Sequence, residues 1–438
     1  MNPPTETRVG SPAEALRRWP ADRPVAAVLA GDRAGRSRFS LLAEPERTLR
    51  AAGLDEALSI IGSTRRGGAS DPAAHGMPVY TTGWIASIPY AAGFELEPKA
   101  ASAGHAVPAP VLLARVERGW VHDNRRDRWH PLNTTEPGPP TADDAGSARL
   151  GPARGLDRWG AYERAAARVV KLIRAGDAFQ VNLAHRLWAE FEGSPRAVGA
   201  ELTERLGPWH GCYIEHGSAA VASVSPELFL DLAPAGRVTT RPMKGTRAGH
   251  DRSLGLSPKD AAELAMIVDL MRNDLGRVCR FGSVRVTDAR SIEPHGGTAA
   301  EPAVWQGVAT VEGALRAGET IESLLRATLP PGSITGAPKV RAMQIIDELE
   351  PALGFDGPMA RRGPYCGACG FFGDNGSAVL NVAIRTAVIE HRPGGGVCHY
   401  PVGAGIVADS DPADEWAETL TKARPFLELC GTKIGAGS

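Results

Sequence analysis

Four stretches of helical periodicity, separated by strand-like apolar runs, constrain this chain more than any other feature of its sequence. The first begins at Asp157, a good N-cap, sets Tyr162, Ala166, Val169, Val170 and Ile173 along one face, and stops at Gly176. The second takes Ser257 as its cap and Pro258 at its first position, with Leu264, Ile267, Val268, Met271 and Leu275 as an apolar stripe ending near Gly276. The third follows the turn GSITGAP and turns Val340, Met343, Ile345, Ile346 and Leu349 inward, and the fourth covers about Pro412 to Leu427. Each apolar stripe must be buried against another layer, and the runs between the helices, such as FQVNLAHRLWAEF, read as strands. The spacing therefore predicts a mixed α/β (α+β) fold with strands paired across long separations.

Residues 132 to 156 are crowded with Pro, Gly and small polar residues, and read as a surface linker between an N-terminal region, 1 to 131, and a larger one, 157 to 430. Before the linker, Val25 to Leu29 and Gly83 to Pro89 look like strands; after it, HRPGGG at 391 to 396 reads as a hairpin turn. The 49 basic and 50 acidic residues nearly cancel, so nucleic acid and membrane are not expected as partners, and an anionic ligand needs a local site. No run approaches the roughly 20 apolar residues of a membrane span, and MNPPTETRVG lacks the pattern of a secretion signal. Six thinly spread cysteines look like reduced thiols, and a cytoplasmic protein is expected. Cys366 and Cys369 have the spacing of a redox or zinc half-site but no second pair, so buried thiols are expected there.

In the second helix Asp260 and Glu263 are three apart, and in the fourth Glu415 and Glu418 repeat the spacing, so each pair shares a helical face. The two pairs suit a hard cation such as Mg²⁺, and equally suit solvated acids that complement helix dipoles. Lys422, four residues after Glu418, fits a helix salt bridge or an anchor for an anion. Three segments carry one reactive side chain each beside Gly or Pro: SPELFL with Glu227, RPMKGTRAG with Lys244 and Thr246, and NVAIRTAV with Arg385. A lone Arg in an apolar run suits bidentate carboxylate binding or a structural salt bridge. Lys244 is either an ordinary solvated lysine or a nucleophile made neutral by burial or a neighbouring cation. In the run Gly403 to Val407, glycines let backbone N–H groups approach an anion closely.

Taken together, FQVNLAHR (179 to 186), SPELF (225 to 229), RPMKGTRAG (241 to 249), AELAMIVDLMRNDLGRV (262 to 278), GSITGAPKVRAMQIIDELEP (332 to 351), VAIRT (382 to 386) and GAGIVADSDP (403 to 412) closely resemble the chorismate-utilising enzymes. RFSLLAEP (38 to 45) and GWIASIPYAAGFELEP (83 to 98) resemble the family's N-terminal region. The resemblance implies an anthranilate synthase component I-like fold, with two large, mostly antiparallel sheets packed together, helices outside and the N-terminal region interwoven. It implies Glu263 and Glu418 as Mg²⁺ ligands, with Asp260 and Glu415 just behind them. It implies Glu227 as general acid, and Thr246, Tyr365, Arg385, Lys422 and the run Gly403, Ala404, Gly405 as substrate-binding positions.

Within the family, aminodeoxychorismate synthases carry a lysine where Lys244 stands, whereas anthranilate synthases and their relatives have alanine. The implied activity is amination of chorismate at ring carbon 4 by component I of such a synthase, for para-aminobenzoate and folate synthesis. No Cys-His glutaminase motif is visible, so ammonia is expected from a glutamine amidotransferase subunit. Gln180 stands where isochorismate and salicylate synthases have a water-activating lysine, which argues against those chemistries. Gln306 takes the place of a family histidine near the enolpyruvyl group, and GDNGSAVLN (373 to 381) departs from the family's Asp-Gly-Asn-Met-Asp pattern. The competing readings are an anthranilate synthase component I and a non-catalytic paralogue that binds chorismate or tryptophan. Tryptophan in the N-terminal region, near SLL at 40 to 42, is a possible ligand by the same resemblance.

Overall fold

Strands rich in alternating small and branched residues pair, always antiparallel, into two large sheets that the helices cover. The computed structural model describes residues 10–31, 37–64, 80–101, 109–143, 145–248, 258–297 and 302–432. The first sheet runs Gly336–Ala337, Gln180–Gly193, Gly395–Ile406, Thr386–Arg392, Ala219–Ser225, His210–His216, Ala26–Leu29, Phe39–Ala43, Gly119–Asp123, Arg128–Leu132. The second runs Met243–Ala248, Pro302–Ala314, Arg237–Arg241, Leu228–Leu232, Ala378–Val382, Ala368–Gly373, Gly83–Ile88, Val111–Val116, Thr48–Ala51, with Arg285–Gly297 also on Pro302–Ala314. The expected hairpin forms, its strands Thr386–Arg392 and Gly395–Ile406 turning at Pro393 and Gly394.

The sheets pack face to face. Val28, Leu41, Cys212 and Ile214 from the first meet Ile85, Ala114, Cys369 and Phe371 from the second in one dry cluster. Alternation turns Trp84, Ala86 and Ile88 to the other side of their strand, into the larger core that helices close. Strands from before residue 132 lie inside both sheets: Ala26–Leu29 pairs with His210–His216, and Gly83–Ile88 with Ala368–Gly373.

The predicted helices appear as Trp159–Arg174, Pro258–Gly276, Lys339–Leu349 and Pro412–Leu429. Asp157 is not a helix cap: it sits in a 3₁₀ turn, Leu156–Arg158, entered at Gly155 with φ +92°, and the α-helix begins at Trp159 without a side-chain cap. Pro258 starts the second helix as expected, whereas Ser257 lies outside the described residues. In the third, Val340 and Leu349 are only partly buried and Ala342 takes an inward place. The stretch read as linker contains a short strand, Ala148–Leu150, paired with Gln180–Gly193. Helices Pro12–Arg17, Leu54–Ser63, Ala92–Leu96, Pro195–Leu206 and Ile321–Thr328 add to the four. Among the described residues no helix is long and apolar enough to cross a membrane, and all six cysteines, Cys366 and Cys369 included, are buried free thiols.

Candidate active site

Besides the step at Glu117 and Arg118, the chain passes from one sheet to the other within two or three residues at two places that each present a reactive side chain. Between Ala219–Ser225 and Leu228–Leu232 the step is Pro226 and Glu227; between Ala378–Val382 and Thr386–Arg392 it is Ala383, Ile384 and Arg385. The steps lie side by side, since Ser223 pairs with Thr386 on one sheet and Leu228 with Asn381 on the other. Backbone bonds tie them, Val382 N–H to Glu227 O at 3.1 Å and Val224 N–H to Arg385 O at 3.1 Å. Beneath them Asn381 Nδ2 and Thr386 Oγ1 donate to Ser223 Oγ at 3.1 and 2.9 Å, so the buried polar groups of the seam are satisfied. Asn381 belongs to the segment that departs from the family pattern.

Glu227 and Arg385 open into a cavity of about 550 Å³ that Lys244, Tyr365, Gly403, Gly405, Asp260, Glu263, Glu415, Glu418 and Lys422 also line. Glu227 is buried, and loss of hydration raises its carboxyl from 4.5 to about 7, against the opposing pull of Ser333, whose Oγ donates to Oε1 at 2.7 Å, and of Lys244. A carboxyl in that range holds its proton at neutral pH and can donate it. Arg385 sits at φ +48°, a left-handed conformation unfavourable for a side chain by about 1–2 kcal/mol, which the seam imposes. No ion pair to Arg385 forms among the described residues, and burial lowers its pKa, so the guanidinium faces the cavity as an uncompensated cation. The structural salt bridge considered for it has no partner among the described residues, and a ligand carboxylate suits the guanidinium.

Lys244 reaches the cavity because Gly245, at φ +76°, breaks the register of Met243–Ala248 against Pro302–Ala314 and re-aims the side chain. Burial pulls its ammonium below the ordinary lysine range, partly opposed by Glu263, with Lys422 pushing the same way as burial. Opposite lies Gly405, where a Cβ would stand 2.8 Å from Gln180 Nε2 and 3.2 Å from Lys244 Nζ, so glycine there lets amide and amine approach the same point. Gln180 is fully buried behind Gly405 rather than in the cavity wall, and neither atom of its carboxamide has a hydrogen-bond partner among the described residues. Ala404 points away from the cavity, as alternation between Gly403 and Gly405 requires. Thr246 holds a backbone place beside Gln306 on the strand, and its side chain is outside the described set.

Helix Pro412–Leu429 is capped by Asp411, whose carboxylate accepts from the Ala413 and Asp414 N–H groups. It supplies Glu415, Glu418 and Lys422. Ser410 Oγ donates to Glu415 Oε1 at 2.6 Å, and Lys422 Nζ is 2.6 Å from Glu418 and donates to Gly403 O at 3.0 Å. Helix Pro258–Gly276 faces it with Asp260 and Glu263. Among the described residues no group of three or more His, Cys, Asp or Glu is placed to hold a metal ion. The oxygen-only acids of two helices nevertheless fit Mg²⁺, which keeps waters and substrate oxygens and needs one or two carboxylates. Glu263 and Glu418 would hold it.

Asn182, Ser333, Arg205 and Arg424 also line the cavity and were not singled out from the sequence. Asn182 was findable, being two residues from Gln180 on one strand. Ser333 was not, because only the folding of the turn at 332–334 brings it to Glu227.

A family model described as chorismate binding enzyme matches residues 33–428. Anthranilate synthase component 1 of Pseudomonas aeruginosa is 33% identical over 93% of this chain and 90% of its own length. Aminodeoxychorismate synthase component 1 of Klebsiella aerogenes is 41% identical, over 58% of this chain and 54% of its own length. Among solved structures, anthranilate synthase component I of Streptococcus pneumoniae superposes with a TM-score of 0.72 at 25% identity, covering 90% of this chain and 92% of that one.

Proposed function

We propose that this chain, which belongs to the chorismate binding enzyme family, aminates its substrate at ring carbon 4 as component I of an aminodeoxychorismate synthase. The observation that carries this reading is Lys244, aimed into the cavity by the bulge at Gly245 and kept below the ordinary lysine range by burial. In its neutral form the Nζ lone pair attacks ring carbon 2 while Glu227 gives its proton to the hydroxyl leaving carbon 4, which departs as water. Both conjugated ring double bonds move by one position, from 1,2 and 5,6 to 1,6 and 4,5. Ammonia then adds at carbon 4 and passes a proton to Glu227, the two double bonds move back, and the lysine leaves carbon 2 as the amine, so that chorismate and ammonia become 4-amino-4-deoxychorismate and water. Arg385 fixes a substrate carboxylate bidentately, and Tyr365, Gly403 and Lys422 form the facing wall. Glu263 and Glu418, with Asp260 and Glu415 behind, would hold Mg²⁺, whose charge would offset the ring carboxylate beside these acids. A glutamine amidotransferase subunit supplies the ammonia, and folate synthesis is the pathway this product suits.

The second reading, an anthranilate synthase, has in its favour the match to the Pseudomonas aeruginosa relative along most of the chain. That product needs removal of pyruvate, and Gln306, buried in the cavity wall, cannot carry a proton as the family's histidine can. Tryptophan binding has no comparable support, since Ser40 of the SLL segment is buried and hydrogen-bonded to Ala30.

The deciding experiment incubates the chain with chorismate, Mg²⁺ and ammonium and identifies the product by mass spectrometry, with Lys244→Ala alongside. Aminodeoxychorismate from the wild type, reduced at least about a hundredfold in the variant, is the expected outcome. Anthranilate, or an amino product indifferent to the substitution, moves the chain to the second reading. Binding of chorismate without any product, even with an amidotransferase added, points to a non-catalytic paralogue.

A further inference from the structure

Arg362 is fully buried, at φ +70°, one turn from the cavity wall. Its fork grips Glu350, itself 2% exposed, with Nε to Oε2 at 2.8 Å and an Nη to Oε1 at 2.6 Å. Its remaining donors go to two backbone carbonyls, Ile334 O at 3.1 Å and Asn182 O at 2.6 Å. Glu350 Oε1 also accepts from the Ala184 N–H at 2.9 Å. The guanidinium lies 4.7 Å from the Tyr90 ring centre and 6.0 Å from that of Tyr365. A buried ion pair of this kind commonly stabilises a fold no better than packed apolar side chains would, so its bonds are best read for the geometry they fix. Here they converge on elements that carry site residues: Ile334 follows Ser333, Asn182 lines the cavity, and Tyr365 is three residues on.

We propose that the Arg362–Glu350 pair positions the general acid, holding Ile334 and Asn182 so that the Ser333 hydroxyl stays on Glu227. This rests on the reading of Glu227 as the proton donor. Arg362 touches no reacting atom, and acts through the turn at 332–334. Removing the pair frees that turn, Glu227 loses its Ser333 bond, and its carboxyl holds its proton to higher pH, because that bond favours the charged form. The other groups facing Glu227 are Lys244 and Lys422, on a strand and a helix that none of the pair's hydrogen bonds described above reaches, and the Cys366 thiol.

The test compares the wild type with Arg362→Met/Glu350→Met, which removes both charges at similar volume, and with Arg362→Lys, which keeps the charge but not the fork. Difference infrared spectroscopy follows the Glu227 carboxyl against pH, with Glu227→Gln identifying the band, and chorismate consumption gives kcat and KM. In the double variant the band is expected to titrate at least about half a pH unit higher, with kcat down about tenfold or more and KM within about threefold. Arg362→Lys should fall between. A folded double variant with an unmoved band and unchanged kcat overturns the proposal, as does failure of both variants to fold, which would make the pair purely structural. A wild type that consumes no chorismate sinks the proposed activity, while the infrared titration still decides the role of the pair.

Discussion

Glu227 is held in a state that function needs and stability does not. Its carboxyl titrates near 7 in the folded chain against 4.5 when unfolded, so the folded form binds more protons between those values and stability falls as pH rises through them. Glu227→Gln removes that penalty, and is expected to raise stability at pH 7 and above by at most about 3 kcal/mol, seen as a higher melting temperature, with no gain below pH 4.5. The same variant should lose about 10²–10⁴ in kcat, and kcat/KM of the wild type should decline as Glu227 gives up its proton. Thermal scans at pH 4 and 8 beside a kinetic pH profile check both limbs; equal melting shifts at the two pH values would refute the linkage. At this scale much of the site was legible. Lys244, Glu227 and Arg385 stand alone among apolar and Gly or Pro residues, where a charge has little structural use. Ser333 and Arg362 were illegible, since what matters about them is a partner 106 or 12 residues away. Ala404 was over-read because a motif marks a run of residues, whereas a strand shows only alternate ones to a given side.

At the scale of elements, the acid pairs owe their placement to where their helices begin. Asp411 receives two backbone N–H groups and fixes the first turn that carries Glu415 and, one turn on, Glu418. Asp411→Ala is expected to cost about 1 kcal/mol of stability and to raise the Mg²⁺ concentration needed for half-maximal turnover. A metal titration of initial rates measures this; a lower melting temperature with unchanged metal dependence would confine Asp411 to a capping role. The four helices read from the sequence were legible because each has an apolar stripe running along one face. Pro195–Leu206 and Ile321–Thr328 were not, the first because Arg196 and Gly199 are buried among its apolar residues, the second because it spans eight residues. Asp157 misled because a good capping residue stands one short turn too early, and Gly155 starts that turn instead.

Across the whole molecule, the two sheets share strands from both ends of the chain, so neither sheet closes without the other's supply. Gly83–Ile88 lies between Ala368–Gly373 and Val111–Val116, and Trp84, on that strand, is fully buried. A chain lacking residues 1–131 is therefore expected to lose cooperative unfolding and chorismate consumption together, measured by calorimetry and by loss of chorismate absorbance. A soluble truncated chain with a sharp transition would show that the interleaving is dispensable. The mixed class was legible from periodicity, but the pairing order was not, because register across hundreds of residues leaves no local trace. The interleaving also sets an order of events during synthesis. Helix Pro412–Leu429, with Glu418 and Lys422, and strand Gly395–Ile406, with Gly405, are made after nearly every other described element. A nascent chain thus carries Glu227 and Lys244 long before the wall that faces them exists, and its early strands wait with open edges that invite chaperones. Enzymatic competence should arrive abruptly, once Pro412–Leu429 has been translated, rather than in stages.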